Sequence, residues 1–194
     1  MAHVVLFHHA QGLRPDVTGW ADSLREAGHE VETPDVYEGR TFDRLEDGIA
    51  HRDEIGIPTL IGRASEFLEG LPENLVYAGF SMGASTAHYF TVTRPGARGA
   101  LLMHGTAPPA TLGGGSWPAD APAQLHYAQG DPYLDSAGTD AVQRSARDAG
   151  ASFEVFIYPG DGHLFADPEG PDFDEASAKL MLDRELDFLA KLQA

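Results

Sequence analysis

The sequence predicts a doubly wound α/β fold on three observations: short apolar runs recur along the chain, helically spaced stretches lie between them, and 194 residues suit one hydrophobic core. Strand-sized runs bounded by turn residues occupy positions 3–7, 29–33, 75–80, 99–103, 124–128 and 152–157. Parallel strands need crossover connections, and helices are the usual ones. The alternation therefore predicts a mainly parallel six-stranded sheet with helices on both faces, in a single domain over residues 1–194.

After the first strand, positions 17–27 place Val17, Trp20, Ala21, Leu24 and Ala27 on one helical face, with Asp16 the expected N-cap and Gly28 the expected stop. Helical spacing recurs over 57–68, 82–93, 139–148 and 174–192. In the last of these, Ala178, Met181, Leu182, Leu186 and Leu189 form an apolar stripe. Two stretches break the rhythm: 37–55 is charged and turn-rich, and 106–122 carries prolines around Gly113-Gly114-Gly115. Both read as loops over one end of the sheet. Ligands of open α/β sheets bind outside the carboxyl ends of the strands, so these loops are expected pocket walls.

Composition excludes several functions. Cysteine is absent, which removes disulfides, thiolate metal sites and a cysteine nucleophile. Thirty acidic against thirteen basic residues give a formal charge of −17, a field that repels nucleic acid phosphates and anionic lipid. Neither nucleic acid nor membrane is an expected partner. No run approaches the roughly 18 apolar residues of a membrane span, and Met1-Ala2-His3-Val4 lacks the basic start of a secretory signal, so the expected location is cytoplasmic. His8-His9 is the one pairing that hints at a metal, but neighbours on a strand point to opposite faces and no further ligands accompany them. No metal or cofactor is expected.

Chemistry concentrates at Gly79-Phe80-Ser81-Met82-Gly83, a G-x-S-x-G sequence between a strand run and a helical run. Shuffling this composition yields the bare pentapeptide in about one chain in ten, so its weight comes from context. A strand-to-helix turn would raise Ser81 above the sheet, and side chains at the flanking glycines would collide with neighbouring backbone. A serine hydroxyl needs a base held by a carboxylate. His163, in the loop after the last strand, is favoured as base over His126, which lies inside a strand run, and His104, a candidate pocket residue. Asp131, directly after the fifth strand, is favoured as acid over Asp135 and Asp161. The expected oxyanion donors are the backbone N–H groups of Met82 and, in the loop after the first strand, Ala10, with His9 the neighbouring alternative. His9, Gln11, His104 and Phe165 are expected to line the substrate pocket, and Tyr37, Trp117 and Tyr133 are further candidates.

With these motifs in place, the chain resembles the dienelactone hydrolase family of α/β-hydrolases in its compact form. Pro34-Asp35-Val36-Tyr37, Gly79-Phe80-Ser81-Met82-Gly83, Gly130-Asp131-Pro132 and Gly162-His163-Leu164-Phe165-Ala166 fall in family order. The resemblance implies a compact α/β-hydrolase fold with Ser81, Asp131 and His163 as nucleophile, acid and base. It also implies cleavage of a small ester, lactone or thioester through an acyl-enzyme. Name-giving members use a cysteine nucleophile and a glutamate in the first loop, where this chain has Ser81 and His9. They also carry an arginine shortly after the catalytic histidine, where this chain reads Leu164-Phe165-Ala166-Asp167. Asp167 and the acidic composition thus point to a neutral or cationic small molecule rather than dienelactone. A non-catalytic small-molecule-binding protein on the same fold is the alternative, and it has no need of all three residues.

Overall fold

The computed structural model describes residues 1–107, 113 and 115–192. Its elements run β1 (His3–Phe7), α1 (Pro15–Glu26), β2 (Glu30–Glu32), α2 (Leu45–Ile55), α3 (Ile57–Leu68), β3 (Val76–Phe80), α4 (Met82–Thr93), β4 (Gly99–Met103), β5 (Ala123–Ala128), α5 (Ser136–Asp148), β6 (Phe153–Tyr158) and α6 (Glu175–Lys191). The six strands form one sheet in the order β2-β1-β3-β4-β5-β6, and every neighbouring pair is parallel.

Period-two alternation along the strands builds two cores. Val5, Phe7, Tyr77, Ala100, Leu102 and Leu125 face a layer that includes α3 (Leu60, Ala64, Leu68), α4 (Ala84, Ala87, Phe90) and α5 (Val142, Ala146). Val4, Leu6, Val76, Ala78, Leu101 and Met103 face α1 (Val17, Trp20, Ala21, Leu24) and α6 (Ala178, Met181, Leu189). Burial on both sides explains why β3 and β4 are buried at every position and read as continuous apolar runs. Among the described residues, no helix is long and apolar enough to cross a membrane.

The structure revises three local expectations. The stretch 37–55 is not all loop, because α2 occupies its second half. Leu45, Ile49 and Ile55 pack against the α3–α4 core from this helix. Asp16 is not the cap of α1, which starts earlier with Arg14 at the cap and Pro15 in the first turn. Similarly, α5 begins at Ser136, where the Asp135 side chain accepts from the Gly138 N–H. For the 106–122 loop, positions 108–112 and 114 lie outside the described residues.

Candidate active site

Strand order reverses between β1 and β3, the switch point at which open α/β sheets form their crevice. Ser81 follows β3 there. Its backbone sits at φ 53° and ψ −109°, a conformation that a non-glycine residue adopts at a cost of roughly 1–3 kcal/mol. The flanking glycines make the turn sterically feasible: a Cβ at Gly79 would lie 2.2 Å from the Gly83 carbonyl oxygen, and one at Gly83 would lie 2.1 Å from the Phe7 carbonyl oxygen. The Ser81 N–H donates to the Met103 carbonyl at 2.7 Å, which ties the turn to β4.

Two loops bring the partners. His163 lies after β6 and Asp131 after β5, and the loops are joined by Gly130 N–H donating to the Gly160 carbonyl at 2.9 Å. The backbone N–H of His163 donates to Asp172 Oδ2 at 3.0 Å, and the Tyr133 N–H donates to Asp131 Oδ1 at 2.8 Å. So held, Ser81 Oγ and His163 Nε2 are 2.7 Å apart, and His163 Nδ1 lies 2.8 Å from Asp131 Oδ2 and 2.9 Å from Oδ1. Because an ionised carboxylate only accepts, the Nδ1–H donates to Asp131 and Nε2 is left to accept from the Ser81 hydroxyl. Asp135 caps α5 and Asp161 is exposed, so neither occupies the place of Asp131.

A cavity of about 830 Å³ opens beside Ser81. Its walls are largely apolar, with Ile49, Ile57, Pro58, Leu60 and Ile61 from α2 and α3, Tyr89 from α4, and Leu134. Ala10, Ser81, Met82, His104, Tyr133 and His163 line the reacting end. The exposed Tyr133 ring lies 4.6 Å from the His163 ring. Of the charged residues on the walls, Arg52 is paired with Asp53 at 2.7 Å, and Asp135 is engaged as a cap.

Several expected pocket residues take other positions. His9 is fully buried away from the cavity: its Nε2–H donates to Asp16 Oδ2 at 2.7 Å and its Nδ1 accepts the Gln11 N–H at 3.1 Å. Gln11 turns its amide outward onto the carbonyls of Phe42 and Asp43. Phe165 lies behind the wall, edge-on to His104 with 4.6 Å between centroids. Tyr37 donates its hydroxyl to the Gly48 carbonyl, and Trp117 donates its indole N–H to the Ala121 carbonyl, so both serve packing. Asp167, expected to repel anions, accepts from the Glu169 N–H in a local turn and is absent from the walls. His104 is wholly buried at the end of β4, and burial first, then the neighbouring His163, His126 and His9, hold it neutral well below the usual histidine range.

Every ring nitrogen of His8 and His9 bonds to the protein, so the pair offers no metal ligand. Among the described residues, His3, Glu30 and Glu32 place three ligand atoms within 4.8 Å of one another, at the opposite end of the strands from Ser81.

Solved structures with this fold include a dienelactone hydrolase-like promiscuous phosphotriesterase from metagenomic libraries, with a TM-score of 0.80 and 19% identity over 99% of this chain and 87% of that one. Esterase PE8 gives a TM-score of 0.67 with 19% identity, covering 98% of this chain and 92% of its own. The carboxylesterase of Bacillus cereus gives 0.61 with 17% identity, covering 99% and 89%. At such identities these likenesses show the α/β-hydrolase fold alone. A comparison with curated proteins gives no match. The model of the dienelactone hydrolase family, however, matches residues 1–193, which is nearly the whole of a fold whose serine turn, aspartate loop and histidine loop meet at one sheet edge. The chain therefore belongs to the dienelactone hydrolase family.

Proposed function

We propose that the protein is a serine hydrolase that cleaves a neutral ester, lactone or thioester with an apolar acyl group through an acyl-enzyme on Ser81. The observation that carries this reading is the continuous Ser81–His163–Asp131 hydrogen-bond chain at the mouth of the apolar cavity. His163 Nε2 takes the Ser81 hydroxyl proton as Oγ attacks the acyl carbon. Asp131 holds the imidazole in the accepting tautomer and stabilises the imidazolium. When the bond to the leaving group breaks, the same proton passes from Nε2 to the leaving oxygen or sulfur. Water then attacks the acyl carbon, gives its proton to His163, and Ser81 is regenerated by the reverse transfer.

Negative charge develops on the acyl oxygen, and the backbone N–H groups of Met82 and Ala10 would receive it. Met82 opens α4, where first-turn N–H groups have no intrahelical acceptor, and Ala10 lines the cavity at the end of β1. Among the described residues, neither N–H is paired with a protein acceptor.

Substrate charge follows from the walls. Arg52 is paired with Asp53, so among the described residues no unpaired cation on the walls awaits a carboxylate. Asp167 is not on the cavity walls and its carboxylate accepts the Glu169 N–H, so it makes no direct contact with a substrate held there. A neutral, apolar acyl group matches Ile49, Ile57, Leu60, Ile61 and Leu134.

The test is a panel of nitrophenyl esters from acetate to decanoate, with lactones, thioesters and a dicarboxylic monoester, assayed on wild type and Ser81→Ala. Turnover should rise from acetate to a medium-chain or aromatic acyl group, fall for the anionic ester and vanish in Ser81→Ala. A fluorophosphonate probe should label Ser81. Absence of turnover together with absence of labelling would sink the reading.

A further inference from the structure

We infer that His8 is a positioning residue that orients the His9–Ala10 peptide so that its N–H serves as the second oxyanion donor. This inference rests on the hydrolase reading above. His8 is 1% exposed and follows β1 directly. Its Nδ1 lies 2.7 Å from the His9 carbonyl oxygen, which can only accept, so Nδ1 carries the proton. Its Nε2 accepts the Val36 N–H at 3.3 Å. With one nitrogen donating and the other accepting, His8 is a neutral imidazole in a single tautomer. Burial agrees, lowering its pKa to about 4.

The target of the Nδ1–H matters more than its strength. The His9 carbonyl and the Ala10 N–H belong to one trans peptide unit. In a trans peptide the C=O and N–H point in opposite directions. The His9 carbonyl is claimed by two donors, His8 Nδ1 and the Gly12 N–H at 3.1 Å, and neither donor residue is among those that line the cavity with Ala10. The N–H at the other end is thereby turned toward the reacting end of that cavity. A hydrogen bond into the carbonyl also polarises the amide and strengthens its N–H as a donor. The rest of the loop is braced around this unit. His9 bridges Gln11 to Asp16, and the Phe42 N–H donates to the Gln11 carbonyl at 2.9 Å. Gly48 of α2 packs onto the Ala10 carbonyl so closely that a Cβ there would lie 2.1 Å from the oxygen.

The two adjacent histidines therefore divide the work. His9 anchors the loop to α1 through Asp16, whereas His8 sets the plane of the peptide that would meet the oxyanion. Neither is free for metal or substrate.

The experiment compares wild type with His8→Leu and His8→Asn on a nitrophenyl ester, and measures inhibition by a boronic acid that mimics the tetrahedral state. Losing an oxyanion donor costs roughly a hundredfold or more, and misaiming one should cost His8→Leu about tenfold to a hundredfold in kcat. KM should move by less than about threefold, and boronate affinity should fall in step with kcat. His8→Asn, whose amide N–H can occupy the place of Nδ1–H, should recover most of the loss. If His8→Leu fails to fold, His8→Met takes its place, since its thioether cannot donate. An active wild type whose folded His8→Leu or His8→Met variant keeps kcat within about twofold would overturn this inference alone. Equal losses in the Asn and the non-donating variant would do the same, because packing would then explain them. An inactive, unlabelled wild type would overturn the hydrolase reading and this inference with it.

Discussion

The Asp131 side chain has no exposed surface, and its oxygens receive both His163 Nδ1–H and the Tyr133 N–H. That inventory makes Asp131→Asn a sharp probe. An asparagine would present its NH₂ to Nδ1 or to the Tyr133 N–H, and the first arrangement forces His163 into the tautomer whose Nε2 carries the proton and cannot accept from Ser81. We expect kcat to fall by about 10³ to 10⁴ with little change in thermal midpoint. A loss under about tenfold would remove Asp131 from the role. Residue type and order marked Ser81, Asp131 and His163 in the sequence, and the structure joins the three in one hydrogen-bond chain beyond the ends of β3, β5 and β6. His8, by contrast, acts through a bond to the carbonyl of the very next residue, which depends on side-chain torsions that no pattern encodes. Likewise Asp167 read as a pocket charge, whereas its carboxylate accepts from Glu169 two residues on.

At the scale of elements, the alternation of apolar runs with helical spacing foretold, among the described residues, all six strands and five of the six helices. The exception, α2, was obscured for a physical reason. Its inner face reads Leu45, Gly48, Ile49, Arg52 and Ile55 at helical intervals, but a glycine stands where an apolar side chain would be expected, and Glu46, Asp47, Asp53 and Glu54 fill the outer face. Spacing alone could have found it. The glycine is required because α2 rests on the Ala10 carbonyl. Two neighbouring helices therefore respond oppositely to one substitution. At Gly62 in α3 an added Cβ would meet no atom within 4 Å, so Gly62→Ala should stabilise by about 0.5–1 kcal/mol through helix propensity. Gly48→Ala forces α2 off the loop that carries Ala10 and should destabilise by about 1–3 kcal/mol. It should also lower kcat, since Ala10 moves with its neighbour. Urea midpoints and ester turnover check both, and a stabilised, fully active Gly48→Ala would contradict the packing.

Across the whole molecule, stability against pH is set by polar groups locked into the two cores. Glu185 of α6 is fully buried against α1, its Oε2 accepting the Trp20 indole N–H at 2.8 Å, while Oε1 has no partner among the described residues. Burial pushes its carboxyl from 4.5 up to about 8. The folded state thus holds a proton that the unfolded chain has already released, so this group's contribution is full below pH 4.5 and is lost as pH rises toward 8. Buried histidines act in the other direction. His8 and His88 are lowered by burial from 6.5 to about 4, and His126 to about 3. Their contribution is present above pH 6.5 and is lost as pH falls through the window down to about 4. Between pH 4.5 and 6.5 the limbs oppose each other, and several histidines outweigh one carboxyl. Stability should therefore peak near pH 6.5 and fall by about 2 kcal/mol between pH 6.5 and 8.5 as Glu185 ionises in the core. In Glu185→Gln, which keeps an acceptor for Trp20 but cannot ionise, the alkaline fall should disappear while the acid limb stays. Urea unfolding of both proteins across this range, at one ionic strength so that the −17 surface charge is screened equally, measures the difference. Parallel alkaline declines in the two would place the titrating group elsewhere.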